Sequence, residues 1–170
     1  YEGLTRLAID EIAVRKGHNY MTVVLDYDTG RVVWMGEGRQ IETLDEFFRT
    51  QVSAFQRTRI QAACVDMWEP FTASILEWVP HCKIVFDKFH VMQHANAAID
   101  EVRRAEFFRK GAGARQIVKG KRWLLLSRWV HLTREKKQLL NQLFRMNRKL
   151  MKAYLLKESL DRLWTYIYPA

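Results

Sequence analysis

A nine-residue stretch near the start of the chain, Arg-Leu-Ala-Ile-Asp-Glu-Ile-Ala-Val at 6–14, most restricts how this sequence can fold. Its apolar residues predict a buried β-strand, yet Asp10 lies in its middle. An ionised carboxylate inside a strand is costly unless a partner compensates its charge. A second acid, Asp66, ends another apolar run at 60–66. Two strand-borne aspartates that share a divalent cation would suit phosphoryl-transfer chemistry on nucleic acid.

Length and composition are those of a folded domain. The chain has 170 residues, of which 48% are hydrophobic, so we expect one domain or one domain with an appendage. No apolar run reaches the ~18 residues that a membrane helix needs, and the first residues do not resemble a signal peptide. We therefore expect an intracellular protein with no membrane partner, in which Cys64 and Cys82 are reduced core residues.

Charge is distributed unevenly along the chain, whose net charge is +9. Residues 103–157 contain 17 Lys and Arg but only two acids, Glu106 and Glu135, which is a net charge of +15. The other residues carry 11 bases and 17 acids, a net charge of −6. Solvated helix faces are the alternative explanation, but so many uncompensated charges repel one another without a counter-ion surface. The pattern favours nucleic acid as the partner.

The order of the predicted elements indicates a mixed sheet. Two short turns in succession predict an antiparallel meander of three strands, whereas helices separate strands four and five and favour their parallel pairing. This is the α/β architecture of an RNase H-like domain, a five-stranded sheet flanked by helices. The predicted elements are strands at 4–14, 20–26 and 31–35, a helix from a capping box at Thr43–Glu46 to about Phe55, a strand at 60–66, a helix from Pro70 to Val79, a strand at 83–87 and a helix at about 88–109.

The last third of the sequence is predicted to be helical. Gly111-Ala112-Gly113 marks a break, Thr133 caps a helix to about Met146, and a further helix runs from about Asn147 to Tyr166. We therefore predict an incomplete RNase H-like core at 1–109 and a basic helical segment at 110–170.

The chemistry of the predicted sheet depends on its first and fourth strands. In this strand order they are neighbours, so Asp10 and Asp66 would lie side by side. Mg²⁺ ions held there could activate a water or a 3′-hydroxyl and stabilise the leaving oxygen of a phosphodiester. Spacing alone leaves an alternative open, in which Asp66 caps the following helix and Asp10 is paired in a turn. Asp26 could face Asp10 across the first hairpin, although Asp26 and Asp28 are better placed to bracket the turn.

Four short strings, taken together, resemble a known family. They are Leu-Ala-Ile-Asp-Glu-Ile-Ala at 7–13, Asp-Tyr-Asp-Thr-Gly-Arg-Val at 26–32, Val-Asp-Met-Trp at 65–68 and Phe-Asp-Lys-Phe-His-Val at 86–91. In this order they are similar to the catalytic domain of bacterial insertion-sequence transposases, most closely the ISL-three family of DDE transposases. The resemblance extends to the leucine-rich helix at 152–158. It implies that Asp10 and Asp66 are the first two acids of the catalytic triad and bind Mg²⁺ or Mn²⁺ for DNA cleavage and strand transfer.

The resemblance leaves the third acid without a match. Family members carry it as a Glu on a helix beyond an inserted helical segment, in an Asn- and Gly-rich stretch that this sequence lacks. We therefore expect an excerpt of a longer transposase that is catalytically inert or very weak. Glu101 follows Asp66 after 34 residues, a spacing like that of retroviral integrases. However, it would lie about 20 Å along an unbroken helix from the strand end, beyond the reach of a metal ligand. Glu158 is expected at the surface.

His90 is the third predicted catalytic residue. Asp87-x-x-His90 resembles the Cys/Asp-x-x-His signature of several transposase groups, which implies that His90 points towards the active site, near the scissile phosphate. Asp87 would also serve as the N-cap of the following helix, and the two roles are compatible. A zinc site built from His90, His94 and Cys82 is conceivable but lacks a fourth ligand.

Aromatic and basic residues supply the predicted DNA contacts. Trp68 comes just after the fourth strand, and two roles are open for it: stacking on a base or a position in the core. Trp123, Trp129 and Trp164 lie among basic residues and have the same two alternatives, base stacking or helix packing, and for most of them we favour helix packing. The predicted backbone contacts are Arg115, Lys119, Lys121 and Arg122.

The leading prediction is a DDE-type transposase catalytic domain that acts on transposon ends and target DNA. It would assemble as a homo-oligomer on DNA, in the bacterial cytoplasm at the nucleoid. One alternative is a non-catalytic nucleic-acid-binding module with an RNase H-like core. Another is a structure-specific nuclease, which hydrolyses DNA without joining ends.

Overall fold

The computed structural model describes residues 3–15, 19–109 and 111–166. Contacts within the chain divide it into two compact units, Tyr1–Val91 and Met92–Ala170. The functional boundary expected between residues 109 and 110 stays a prediction. Part of the loop predicted at 15–19 lies outside the described residues, as does the end of the chain from residue 167.

The first unit is built on a five-stranded mixed sheet. Its strands lie in the order β3-β2-β1-β4-β5. The pairs β1–β2 and β2–β3 are antiparallel, and β1–β4 and β4–β5 are parallel. The predicted mixed sheet with its RNase H-like topology is therefore confirmed. The strands are β1 (Arg6–Arg15), β2 (Asn19–Asp26), β3 (Val32–Glu37), β4 (Ala62–Val65) and β5 (Lys83–Phe86).

Asp26 and Asp28 bracket the turn between β2 and β3, as expected. The Asp26 carboxylate accepts hydrogen bonds from the Asp28 amide at 3.0 Å and from the Thr29 hydroxyl at 2.7 Å. These bonds lower the pKa of Asp26, the Thr29 hydroxyl contributing most. Gly30 adopts a φ of +69°, which a residue with a side chain rarely adopts. Asp26 pairs with Leu7 in the sheet and not with Asp10.

Three helices, α1 (Ile41–Thr50), α2 (Ala54–Arg59) and α3 (Glu69–Trp78), belong to the first unit. The predicted capping box at Thr43 is wrong, because α1 starts two residues earlier and the Thr43 hydroxyl donates to the carbonyl of Glu37 at the end of β3. A capping box does form, at Ser53 and Gln56, where each side chain bonds to the other's backbone N–H. The helix expected to run to Phe55 is thus two helices.

The core of the first unit lies on one face of the sheet. Residues at alternate positions of the strands point into it, as the two-residue period of a strand requires. Leu7 and Ile9 of β1 and Val65 of β4 are buried there. Asp10 and Asp66, one residue further along their strands, therefore belong to the opposite face. The buried core residues are Leu4, Leu7, Ile9, Val24, Leu44, Phe47, Phe48, Val52, Ile60, Ala63, Val65, Phe71, Ile75, Val79 and Cys82.

The second unit is helical. The predicted long helix is confirmed as α4 (Lys88–Arg109), and Thr133 caps its helix by accepting from the Lys136 amide. The final helix ends at Asp161, and a short 3₁₀ turn at Arg162–Thr165 follows. The further elements are α5 (Gly111–Val118), α6 (Arg122–Leu126), a 3₁₀ turn at Trp129–His131, α7 (Arg134–Met146) and α8 (Arg148–Asp161). Within the described ranges, no helix has both the length and the apolar character to cross a membrane.

A buried lysine joins α8 to the end of α6. The Lys157 ammonium donates to the carbonyls of Leu125, Leu126 and Ser127 at 3.2, 3.2 and 2.9 Å. These are carbonyls that the helix end leaves without a helical partner, so the lysine satisfies them. Burial lowers the pKa of Lys157. Glu158 lies 3.3 Å from the same ammonium and is half-buried, so its expected surface position is wrong.

Replacing a core residue of α3 tests the first unit. Ile75 is fully buried in the core, whereas the next residue, Leu76, is half-exposed. We expect Ile75→Ala to lower the free energy of unfolding by about 2–5 kcal/mol, because it opens a cavity. Leu76→Ala should change it by no more than about 0.5 kcal/mol. Urea denaturation of both variants measures the difference, and equal losses would contradict this position of α3.

Asp100 is expected to make the second unit acid-sensitive. It is buried, and the Arg103 and Arg104 side chains donate to its carboxylate at 2.7 and 3.0 Å. These partners, Arg103 foremost, hold the pKa of Asp100 below its ordinary value. A lowered folded-state pKa contributes stability above the unfolded-state pKa of about 3.9, and this contribution disappears as pH falls through the folded-state pKa.

We therefore expect Asp100→Asn to lower the free energy of unfolding by about 1.5–3 kcal/mol at neutral pH. The variant should also lose less stability than the wild type on acidification below about pH 4. Denaturant titrations at a series of pH values measure both effects. Glu101→Gln, at the neighbouring exposed position, is the control. A wild-type acid dependence retained in Asp100→Asn would contradict the assignment.

Candidate active site

Three aspartates directly follow the last residues of β1, β4 and β5 that pair in parallel. Ile9 pairs with Val65, and Val65 pairs with Phe86. The next residue along each of these three strands is an aspartate: Asp10, Asp66 and Asp87. β4 and β5 end at this edge of the parallel pairing, whereas β1 continues to Arg15, and the three aspartates occupy neighbouring register positions because the residues before them are paired. Such an edge is where open α/β sheets bind their ligands.

His90 lies between Asp10 and Asp66. Its Nε2 atom is 3.8 Å from an oxygen of Asp10, and its Nδ1 atom is 3.4 Å from an oxygen of Asp66. Both carboxylates therefore reach the same imidazole from the same face of the sheet. The structure thus brings together the three residues for which catalytic roles are predicted. Their roles as catalysts and metal ligands stay predictions.

The site is open to solvent, and the three side chains differ in exposure. The Asp10 side chain is 58% exposed, compared with 27% for Asp66 and 24% for His90. One oxygen of Asp10 accepts from the Glu11 amide at 2.8 Å, and one of Asp66 accepts from the Met67 amide at 2.6 Å. A neutral imidazole has a single N–H and can donate to only one carboxylate, whereas an imidazolium can donate to both.

Asp87 starts the helix that carries His90. Its side chain accepts from the Phe89 amide at 2.5 Å, and its carbonyl accepts from the Val91 amide at 3.1 Å. These bonds make Asp87 the N-cap of α4, as expected. They fix the direction of the first helical turn, on which His90 lies. The Phe89 ring packs edge-on against the imidazole, with 5.5 Å between the ring centroids.

Cys64, which the sequence predicts to be a core residue, places a thiol near the acids. Burial raises the pKa of the Cys64 thiol, and the charges of Asp87 and Asp10 raise it further. The thiol is therefore protonated at neutral pH and is a poor metal ligand in that form. Both cysteines are free thiols, as predicted.

The two aspartates fit part of a magnesium site. Carboxylate oxygens are the hard ligands that Mg²⁺ prefers, and this ion usually keeps several waters beside one or two carboxylates. Within the described part of the chain, no three His, Cys, Asp or Glu residues are arranged to hold a metal. The zinc site considered above has no support, since Cys82 is buried in the core. Helix α4 is unbroken from Lys88 to Arg109. An unbroken helix is the condition under which the sequence predicts that Glu101 lies too far from the strand end to bind the metal.

Trp68 is largely a structural residue. It packs against the core of the first unit, and its indole N–H donates to the Arg39 carbonyl at 3.1 Å. The Arg39 guanidinium lies between the Trp68 ring, at 4.9 Å, and the Tyr20 ring, at 4.2 Å. Arg39 also forms an ion pair with Glu11 at 3.3 Å. One face of Trp68 is therefore already covered, although base stacking by this residue stays a prediction.

The predicted DNA-backbone residues lie close together in sequence and in one unit. Arg115 and Lys119 are exposed at the end of α5 and just beyond it, and Lys121 and Arg122 start α6. The Arg115 guanidinium lies over the Phe107 ring at 5.9 Å. Their contact with phosphates stays a prediction.

Trp123 is an exposed aromatic residue of the second unit. Of the tryptophans for most of which helix packing is favoured, Trp129 packs against the core, whereas Trp123 is 72% exposed. The reason is that Leu125 takes the core position of the short helix α6, and Leu124 and Leu126 flank it. The signal in the sequence was the apolar run Leu124–Leu126, which can fill the core without the tryptophan.

Known transposases are similar to this chain. A family model described as a transposase, of the ISL-three type of DDE transposases, matches residues 7–169. The transposase for insertion sequence element IS1001 of Bordetella parapertussis is 40% identical over 167 residues, 96% of this chain and 41% of that protein. The transposase for insertion sequence element IS1557 of Mycobacterium tuberculosis is 29% identical over 188 residues, 97% of this chain and 42% of that protein. The chain thus spans about two fifths of the curated relatives it matches.

Removing the cap of α4 should loosen the histidine. We expect Asp87→Ala to lower the free energy of unfolding by about 0.5–2 kcal/mol, because the Phe89 amide loses its acceptor. Asp87→Ser preserves a capping oxygen and should lower the free energy of unfolding by less than Asp87→Ala does. Urea denaturation measures stability, and the ring-proton NMR signals of His90 report its order. Equal stability and unchanged His90 signals in the alanine variant would contradict this role of the cap.

Proposed function

Because the chain belongs to the ISL-three family of transposases, we propose that Asp10 and Asp66 are two acids of a DDE-type centre for DNA transposition. The observation that carries this proposal is their position at one level of adjacent parallel strands, both against His90. Two carboxylates from neighbouring strands can act on one ion only if they share a face, and contact with one imidazole requires that they do.

Each side chain has a separate task in this proposal. Asp10 and Asp66 bind Mg²⁺ or Mn²⁺ through carboxylate oxygens, and Asp10, the more exposed of the two, faces the incoming DNA. The bound ions would supply the electrostatic stabilisation that phosphodiester cleavage and strand transfer need. His90, held by the capped first turn of α4, presents an N–H to an oxygen of the scissile phosphate.

The partner is DNA, both transposon ends and target. The basic segment 103–157 supports this, since its net charge of +15 favours a phosphate backbone. Arg115, Lys119, Lys121 and Arg122 contact that backbone. We also propose that the active species is a homo-oligomer on DNA and that it works in the cytoplasm at the nucleoid. The relatives are named as transposases of insertion sequence elements, which supports DNA as the partner.

A third acid completes the centre in this proposal. None of the described residues joins Asp10 and Asp66 to form a metal-binding group of three. The 170-residue chain by itself is therefore expected to show little or no strand transfer.

Binding of Mn²⁺ alone tests the two aspartates. We expect Asp10→Asn and Asp66→Asn each to weaken Mn²⁺ affinity at least about tenfold, because each removes a charged ligand. Glu42→Gln, an exposed acid in the first turn of α1, is the control and should bind as the wild type does. Electron paramagnetic resonance of free Mn²⁺ measures the affinities. Equal binding by the wild type and Asp10→Asn would remove Asp10 as a ligand.

Product analysis separates the alternatives. A transposase core joins DNA ends when the third acid is present, whereas a nuclease only hydrolyses them. DNA binding with a steep salt dependence but no Mn²⁺ affinity would favour a non-catalytic binding module. Robust strand transfer by the 170 residues alone would contradict the need for a third acid.

A further inference from the structure

Trp123 is an exposed aromatic residue that the catalytic proposal does not use. It is the second residue of α6, and 72% of it is exposed. Leu125 of the same helix is fully buried, and Leu124 and Leu126 pack against the core of the second unit. The fold therefore does not need the indole for packing. Trp123 is not an isolated exposed apolar residue, because it lines one cavity together with Leu124, Leu132 and Leu139, and apolar patches at a surface mark interaction sites.

A series of charged contacts leads from the indole to a buried carboxylate. The Arg122 guanidinium lies over the Trp123 ring, 5.1 Å from its centre. The same guanidinium approaches the buried carboxylate of Asp100, with its Nε atom 3.5 Å away. Arg103 and Arg104, which lie on the same helix as Asp100, also pair with that carboxylate. The half-exposed Arg122 guanidinium therefore lies over one face of the indole, and a planar group can stack elsewhere on it.

A small cavity opens beside the indole. Its volume is about 220 Å³, smaller than the roughly 300–1,000 Å³ of sites for drug-sized ligands. Its lining includes the apolar residues Leu124, Leu132 and Leu139 and the basic residues Lys121 and Lys136. Among the described residues that line it, none is an acid. The cavity therefore suits a single planar aromatic group that is attached to a negative charge.

We propose that Trp123 and this cavity bind one unstacked base of single-stranded DNA. This inference rests on the proposed function, since it names the form of DNA that the second unit takes. Every base has a π-face that can stack on an indole, while the lysines and Arg122 attract the phosphates on either side of it. Bases in an intact duplex are already stacked, so the occupant is a base that has left the helix. Charge complementarity favours this occupant over an apolar protein segment.

The test compares three fluorescently labelled probes of equal length: oligo-dT, the same strand with abasic positions, and a duplex. We expect the wild-type chain to bind oligo-dT more tightly than the abasic strand. Trp123→Ala should weaken oligo-dT binding about tenfold and remove this preference, because abasic sites have nothing to stack. Trp123→Phe should keep part of it. Quenching of tryptophan fluorescence by oligo-dT should be reduced in both variants.

Matched controls separate stacking from charge and from folding. Phe108→Ala removes another aromatic residue of this unit, 69% exposed, and should leave the preference for oligo-dT intact. Lys136→Gln should weaken the binding of all three probes to a similar degree and reduce the salt dependence of that binding. Circular dichroism checks the fold of Trp123→Ala. If that variant is unfolded, photocrosslinking of the wild type to 5-iodouracil-substituted oligo-dT replaces it, and the expected crosslink maps to Trp123.

The outcomes distinguish this inference from the proposed function. DNA binding that does not depend on Trp123, or a crosslink that maps elsewhere, overturns the base site and leaves the catalytic proposal intact. Equal losses on all three probes in Trp123→Ala also overturn it. Absence of binding to any DNA overturns the base site together with the DNA partner proposed above. Self-association of the chain that Trp123→Ala abolishes would assign the surface to a second copy instead.

Discussion

The parallel pairing of β1 with β4 is the interaction on which the candidate site depends. The register places Ile9 opposite Val65, so the acids that follow them stand side by side. A shift of one residue would turn one carboxylate towards the core, because successive side chains of a strand alternate between faces. The hydrophobic positions resist such a shift: Leu7, Ile9 and Val65 are buried. Burial of apolar groups on one face therefore sets the geometry of charged groups on the other.

The same sheet also determines where the histidine lies. β5 adds to β4 in parallel, and its last residue is followed by Asp87, which caps α4. A helix that starts at a strand end has its first turn beside that edge of the sheet, and His90 lies on this turn. The imidazole is therefore held by backbone hydrogen bonds at the cap and by packing of Phe89, both independent of any metal or DNA.

The second unit contains most of the positive charge of the chain, so its buried charged groups need partners. Its buried charged residues are paired: Asp100 with arginines, Glu106 with Arg109 and Lys149, and Lys157 with backbone carbonyls. Asn147 caps α8 and donates to Glu106 at 2.8 Å, so one such group joins two helices. A buried charge left without its partner costs several kcal/mol, roughly 3–5 when a pair is broken. These pairs therefore favour one arrangement of the short helices.

Local patterns in the sequence determined which elements form and where the acids stand along them. Alternation of apolar residues, the turn at Asp28–Gly30, the cap at Thr133 and the positions of Asp10 within its strand and Asp66 after its strand all depend on residues close in sequence. Contacts between distant residues decided the rest. The Thr43 hydroxyl bonds to the carbonyl that ends β3 and not to its own helix, and His90 reaches both acids. Trp123 is exposed because Leu125 takes the core position of α6. No local pattern encodes such contacts, because strand register and packing create them only when the chain has folded.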